Sequence, residues 1–171
     1  MSEIRLTGLA GIDMADVPVG GGVPIDADFD FIGATYRDEA SVTEEDPTET
    51  EHFANEYDDP IESDITGGKK KLTFTLTDWS PENLAKYLGG TTEGIGALMK
   101  WKAPVQKTKF ERSFRVRSKT NRQYITYPRV SCYAKYDYKL APTGIAKVLV
   151  VGIVMTPVAA APMITGTLAV V

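Results

Sequence analysis

Leu72, Phe74 and Leu76 alternate with Thr73, Thr75 and Thr77. A period of two reads as a half-buried strand, with the apolar residues on the core side and the threonines facing out. Asp78 closes that strand, and the period then changes. Leu84, Tyr87 and Leu88 recur at helical spacing behind Ser80, Pro81 and Glu82. Serine is a good N-cap, proline suits the first helical position, and an acid in the first turn is favoured by the helix dipole. Gly89-Gly90 supplies the stop. The pattern predicts one short helix at about residues 80–89. A helix of so few turns is not stable alone. Leu84, Tyr87 and Leu88 are therefore expected to pack on Leu72, Phe74 and Leu76, with Trp79 as a staple.

The rest of the chain reads mostly as strands. Phe29 to Thr35 is a candidate, broken by Gly33. Lys107 to Arg117 places Phe110, Phe114 and Val116 on one face, interrupted by Arg112, with the other charges alternating outward. Arg122 to Tyr127 follows the turn at 118–121. From Arg129 onward Val130, Cys132, Ala134, Tyr136 and Tyr138 share a face. A turn at 141–144 leads to the apolar run from Ala146 to Met155, and ITGTLAVV ends the chain as an edge strand or an arm. Turn spacing of this kind suits a sandwich or small barrel, with the helix over one face or one open end. The expected fold class is mainly β, a β-sandwich or barrel-like fold with one short α-helix and a long acidic loop or hairpin.

Two regions do not follow the pattern. Residues 1–28 are rich in Gly, Pro and Asp and read as an extended arm with a joint at Gly20-Gly21-Gly22. Residues 37–66 form the most polar stretch. Within it Thr48, Thr50 and His52 alternate with Glu49, Glu51 and Phe53, the period of a polar strand. A projecting hairpin or loop is therefore expected there. The organisation is an arm over 1–28, a β domain over 29–157 and a terminal strand or arm over 158–171.

Charge sharpens this picture. The formal net charge is only −4, but residues 1–66 carry 18 acidic and 2 basic side chains, against 5 and 17 in residues 67–171. The two halves either form opposed solvated faces of one domain, or dock head-to-tail between copies.

The chemistry is sparse. One histidine, His52, lies among acids without a neighbouring nucleophile, so no enzyme is expected. One cysteine excludes an internal disulfide and a cysteine metal cluster, and Cys132 reads as core. Asp26, Asp28 and Asp30 alternate, but the glycine and closing glutamate of a calcium loop are missing, and a strand edge explains them better. The glycine-rich stretch 89–97 matches no nucleotide loop. Lys100 to Arg122 holds nine Lys or Arg and one acid, but its aromatics fall at strand spacing toward the core. No cofactor or metal is expected. The start, MSEIRLTGLAG, does not read as a secretory leader, and Val148 to Met155 is too short to span a bilayer, so no membrane partner is expected either.

The order of these features resembles the major tail tube protein family of long-tailed bacteriophages. The resemblance is carried by FIGATYRDEASVTEEDPTETEHFANEYDDP, then LTFTLTDWSPENLAKYLGG, then TYPRVSCYAKYDYKL and an apolar strand ending at Pro157. Its most specific element is the strand running into a helix with Glu82, Leu84, Ala85, Leu88, Gly89 and Gly90. The resemblance implies a virion protein, made in the host cytoplasm, that forms stacked hexameric rings. The rings would make a hollow tube that conducts the genome without binding it specifically. By analogy its other partners would be the tail terminator, tape measure and baseplate or tip proteins. Candidate lumen or inter-ring residues are Asp26, Asp28, Asp30, Glu44, Glu45, Asp46, Glu49, Glu51, Lys69, Lys70 and Lys71. Alternatives are another component of the same architecture, such as a tail terminator or contractile-system tube, and a stand-alone ligand-binding β domain using Trp79, Trp101 and the tyrosines.

Overall fold

The structure is a computed structural model that describes residues 7–55, 57–119, 122–139, 141 and 143–168. The expected turns at 118–121 and 141–144 fall partly outside these residues, as do both ends of the chain.

The strands, in order, are β1 (Leu9–Ala15), β2 (Asp30–Phe31), β3 (Ser41–Glu44), β4 (Thr48–His52), β5 (Glu62–Thr66) and β6 (Lys70–Leu76). The helix α1 (Pro81–Leu88) follows. Then come β7 (Thr91–Glu93), β8 (Lys100–Lys102), β9 (Phe110–Ser118), β10 (Gln123–Asp137), β11 (Lys147–Val154) and β12 (Ile164–Thr167). The fold is mainly β, with one α-helix among the described residues. The main sheet runs β2-β1-β9-β10-β11-β6-β3, and β12 adds to β10. All its pairings are antiparallel.

One core serves this sheet. Phe74 and Phe114 meet edge-to-face with ring centroids 5.5 Å apart. Around them lie Ile12, Met14, Leu72, Leu76, Val130, Cys132, Val148 and Val150, together with Leu84, Tyr87 and Leu88 of α1. The helix meets β10 and β11, and its Tyr87 ring faces Phe110 at 6.3 Å, so it shares the β6 core without lying mainly on β6. Desolvation pushes the Cys132 thiol up to about 12, as befits an inert buried thiol.

The helix ends are held differently from the sequence expectation. Ser80 occupies the N-cap position, but its side chain makes no cap bond. Instead Asp78 accepts from the Ser80 backbone N–H at 2.9 Å and from the Asn83 side-chain amide. At the other end Gly89 and Gly90 have φ of 75° and 94°, and the indole N–H of Trp101 donates to the Gly89 carbonyl at 2.8 Å. Trp79 is not a staple into the core. It is 38% exposed and packs on Tyr136 and Tyr138.

Two further expectations are corrected. Part of the expected N-terminal arm is a core strand: β1 pairs with β9 and buries Ile12, Met14 and Ala15. Ile12 and Met14 face the core on a period of two, inside a stretch whose glycines and prolines hide the pattern. The strand expected over Phe29 to Thr35 shrinks to β2 and one bridge between Thr35 and Leu76. This segment serves both margins of the sheet. The Ile32 N–H donates to the Ile12 carbonyl at 3.1 Å, and the Tyr36 N–H donates to the Thr75 carbonyl at 2.8 Å. Backbone groups that would face solvent on two margins are thereby paired.

Candidate assembly surfaces

Ser41 faces Thr73 and Glu44 faces Lys70; past a short break, Thr48 faces Thr66 and His52 faces Glu62. Four residues forward on one strand and four back on the other separate Glu44–Lys70 from Thr48–Thr66, so the register does not slip. The Glu45 N–H bridges the break by donating to the Lys69 carbonyl at 3.0 Å. At this root a side chain on Gly68 would sit 1.6 Å from the Glu45 carbonyl oxygen, so only glycine fits. The two pairs of strands are thus one long ribbon. Its inner part, β3 with β6, belongs to the main sheet, and its outer part, β4 with β5, projects as an arm. Eight residues from Glu45 to His52 give the arm a reach of roughly 25 Å before its tip.

Every residue of β4 and β5 is exposed, on both faces of the ribbon. Residues 45–66 contain nine acids and no Lys or Arg. Phe53, Tyr57, Ile61 and Ile65 are also exposed, the last at 71%. The arm's own cross-strand contacts are slight. The Ser63 hydroxyl donates to Glu49 at 2.6 Å, and His52 Nε2 lies 3.7 Å from an Asp64 oxygen. An isolated two-stranded ribbon is marginal in water, and little within this arm stabilises it beyond its continuity with β3 and β6.

Five of the other acids of the first half are matched within the chain. Asp13 meets Arg117 at 2.7 Å, Asp16 meets Arg112 at 3.3 Å, and Asp26 meets Arg115 at 2.7 Å. Glu39 meets Lys147 at 2.6 Å and Glu44 meets Lys70 at 3.0 Å. The Lys147 hydrogen bond holds the Glu39 carboxyl below its usual range. Outside residues 45–66 the chain carries 14 acids against 19 Lys and Arg, so the surplus acid is concentrated on the arm.

The candidate residues consequently fall into separate places. Glu49 and Glu51 lie on β4, Glu45 and Asp46 in the root of the arm, and Lys69, Lys70 and Lys71 where that root enters β6. Asp26 and Asp28 are on the body, in a single 3-10 turn closed by the Asp28 N–H donating to the Ile25 carbonyl at 3.0 Å. Only Asp30 begins a strand. The regular strand edge expected for these three aspartates is not formed, because the turn aims Asp26 at Arg115.

Arg115 also departs from expectation. It points away from the core, yet it is only 5% exposed. Its guanidinium stacks 4.0 Å from the Phe29 ring and 4.7 Å from the Tyr124 ring, and its Nε donates to the Thr126 hydroxyl at 3.2 Å. Residues 26–31 thus form a lid on the outer face of β9. Replacing Arg115 with Ala removes the stacked stem and the cation–π contacts together, and is expected to cost about 2–3 kcal/mol. Denaturant unfolding checks this; a loss under 0.5 kcal/mol contradicts the packing role.

The second projecting element escaped the sequence reading. β7 and β8 form a small ribbon, with Thr91 facing Lys102 and Glu93 facing Lys100. Trp101 anchors it to α1. Ile95 at 90% and Leu98 at 80% stand in solvent at its tip, and Val105 is fully exposed in the following loop. Lys100, Lys107 and Lys109 are exposed, and among the described residues they form no ion pair. The signal was present as two apolar residues, Ile95 and Leu98, in the IGAL that follows Gly94.

Among the described residues no group of three or more His, Cys, Asp or Glu is placed to hold a metal ion, and no helix is long and apolar enough to cross a membrane. No protein-family model matches the sequence, and no curated protein matches it significantly.

Proposed function

We propose that the chain is a structural subunit that assembles with copies of itself into stacked hexameric rings, forming a phage tail tube through which the genome passes. The observation that carries this reading is the arm: a ribbon continuous with the main sheet, exposed on both faces, acidic, and studded with apolar side chains. Such a projection is unfavourable on a monomer and useful between copies. The resemblance in strand, helix and Gly-Gly order supports the same reading. The finer fold we propose is barrel-like, because the segment from Asp30 to Tyr36 hydrogen-bonds one margin of the sheet at Ile12 and the other at Thr75. In that assembly the arm bridges neighbouring rings, and body acids such as Asp28 and Asp30 are candidates to face the lumen, where they would repel DNA phosphates. Tail terminator, tape measure and tip proteins are the further partners proposed.

A second reading has its own observation. Trp79, Tyr136 and Tyr138 form an exposed aromatic cluster, with ring centroids 6.1 and 6.2 Å from Trp79. A ligand-binding domain would use it.

Negative-stain microscopy and sedimentation of the purified protein across concentration separate the two. Rings or tubes that dissociate as salt rises are expected, since exposed charges are screened within about 8 Å at physiological ionic strength. A monomer at every concentration and salt level overturns the assembly reading.

A further inference from the structure

We propose that the arm of one copy docks on the β7–β8 ribbon of the next copy. The inference rests on the assembly reading and names the surface that receives the arm. Three observations carry it.

The first is what remains after the ion pairs within the chain are set aside. Asp13, Asp16, Asp26, Glu39 and Glu44 are matched by bases of the same chain. The acids at 45–66 are not matched by any Lys or Arg among the described residues. On the basic side, residues 91–109 carry four lysines and one glutamate, and among the described residues only Lys102 of these is paired, with Glu93 at 2.6 Å. Other lysines without an ion pair among the described residues, such as Lys71, Lys86, Lys135 and Lys139, lie on the body, whereas Lys100, Lys107 and Lys109 lie on or just after a projecting ribbon, where steering and docking between copies are strongest.

The second is the apolar match. Each ribbon exposes large apolar side chains beside its charges: Phe53, Tyr57 and Ile65 on one, Ile95 and Leu98 at the tip of the other, with Val105 in the loop that follows it. Charged residues around an exposed apolar centre are the composition of an interface, not of a solvated face.

The third is placement. The arm enters β6 at Lys70, and the chain leaves β6 at Leu76 toward α1, whose C-terminus is tied to the β7–β8 ribbon through Trp101. Tyr87 near the C-terminus of α1 faces Phe110, and Phe110 is in register through Cys132 and Gly152 with Leu72, so three strand spacings, roughly 14 Å, separate that point from the arm's root at β6. The acidic and basic ribbons therefore leave the body from different places. A contact between unlike surfaces of identical copies is heterologous and propagates.

Charge reversal tests the pairing. Lys100→Glu, Lys107→Glu and Lys109→Glu together are expected to reduce the sedimenting polymer at least tenfold. Glu49→Lys, Glu51→Lys and Asp64→Lys together are expected to do the same. Mixing the two variants should restore co-assembly, because each then offers the other a matching surface. All six positions are exposed, so far-UV circular dichroism and the melting temperature should stay at the wild-type values. A cross-link is the second readout: Ile65→Cys and Leu98→Cys variants, mixed and oxidised, should give a covalent dimer of one of each, while the buried Cys132 stays silent. Polymer unchanged by the lysine reversals, or no mixed dimer, overturns the inference while leaving assembly standing. A wild-type chain that never assembles removes the assembly reading itself.

Discussion

Excising residues 46–68 and joining Glu45 to Lys69 through an Asn-Gly turn is expected to yield a folded monomer that no longer assembles. The cut is placed where the Glu45 N–H already donates to the Lys69 carbonyl, so a two-residue turn closes a ribbon whose register is set. Nothing in the buried cluster lies within the excised stretch. The excision removes eight acids and no Lys or Arg, moving the formal net charge from −4 to +4. Sedimentation should show monomer at concentrations where the intact chain forms polymer. The melting temperature should stay within a few degrees of the intact chain, since exposed residues distant from the core contribute little. Polymer formed equally well by the shortened chain would sink the arm's role in assembly. A shortened chain that cannot fold would show instead that the arm supports the sheet.

The largest expected loss of stability comes from Phe74→Ala. Phe74 is fully buried at the centre of β6 and meets Phe114 edge-to-face. Its strand is flanked by β11 on one side and β3 on the other, so the backbone around it has little freedom to collapse into the space left behind. Truncating a buried phenylalanine costs about 3–5 kcal/mol, a large part of the 5–15 kcal/mol that holds a typical domain together. At roughly 2–4 °C per kcal/mol for a chain of this size, the melting temperature should fall by about 10 °C. Thermal unfolding followed by circular dichroism checks this. Tyr138→Ala, at a 56% exposed position, is the comparison and should move it little. Equal effects at the two positions would contradict the placement of the core.

These two predictions rest on different kinds of legibility. Phe74 was recognisable because a strand's period of two is written into adjacent residues. The same holds for α1, where spacing, a proline and two glycines mark the element locally, and for β10, whose run from Val130 to Ala134 keeps a clean alternation. The polar period of β4 was also visible. That it continues β3 in one unbroken register was not, because a register belongs to two strands and depends on the partner across the ribbon. β1 was missed because glycines and prolines near it mimic a linker, and only its pairing with β9 makes it a strand. Thr75 likewise reads as solvent-facing, yet it is buried because the chain around Tyr36 and Glu39 lies across it.

By itself, then, the sequence determined a mainly β chain with one capped helix, the apolar faces of its main strands, and an acidic surplus in the first half. The tertiary structure alone decided which acids are neutralised and which are left on the arm, that Arg115 is buried under Phe29, and that a second ribbon projects with exposed Ile95 and Leu98 at its tip. The physical reason is range. Periodicity and capping act over a few residues, whereas Asp26 and Arg115, or Glu39 and Lys147, meet only after some hundred residues of intervening chain have folded.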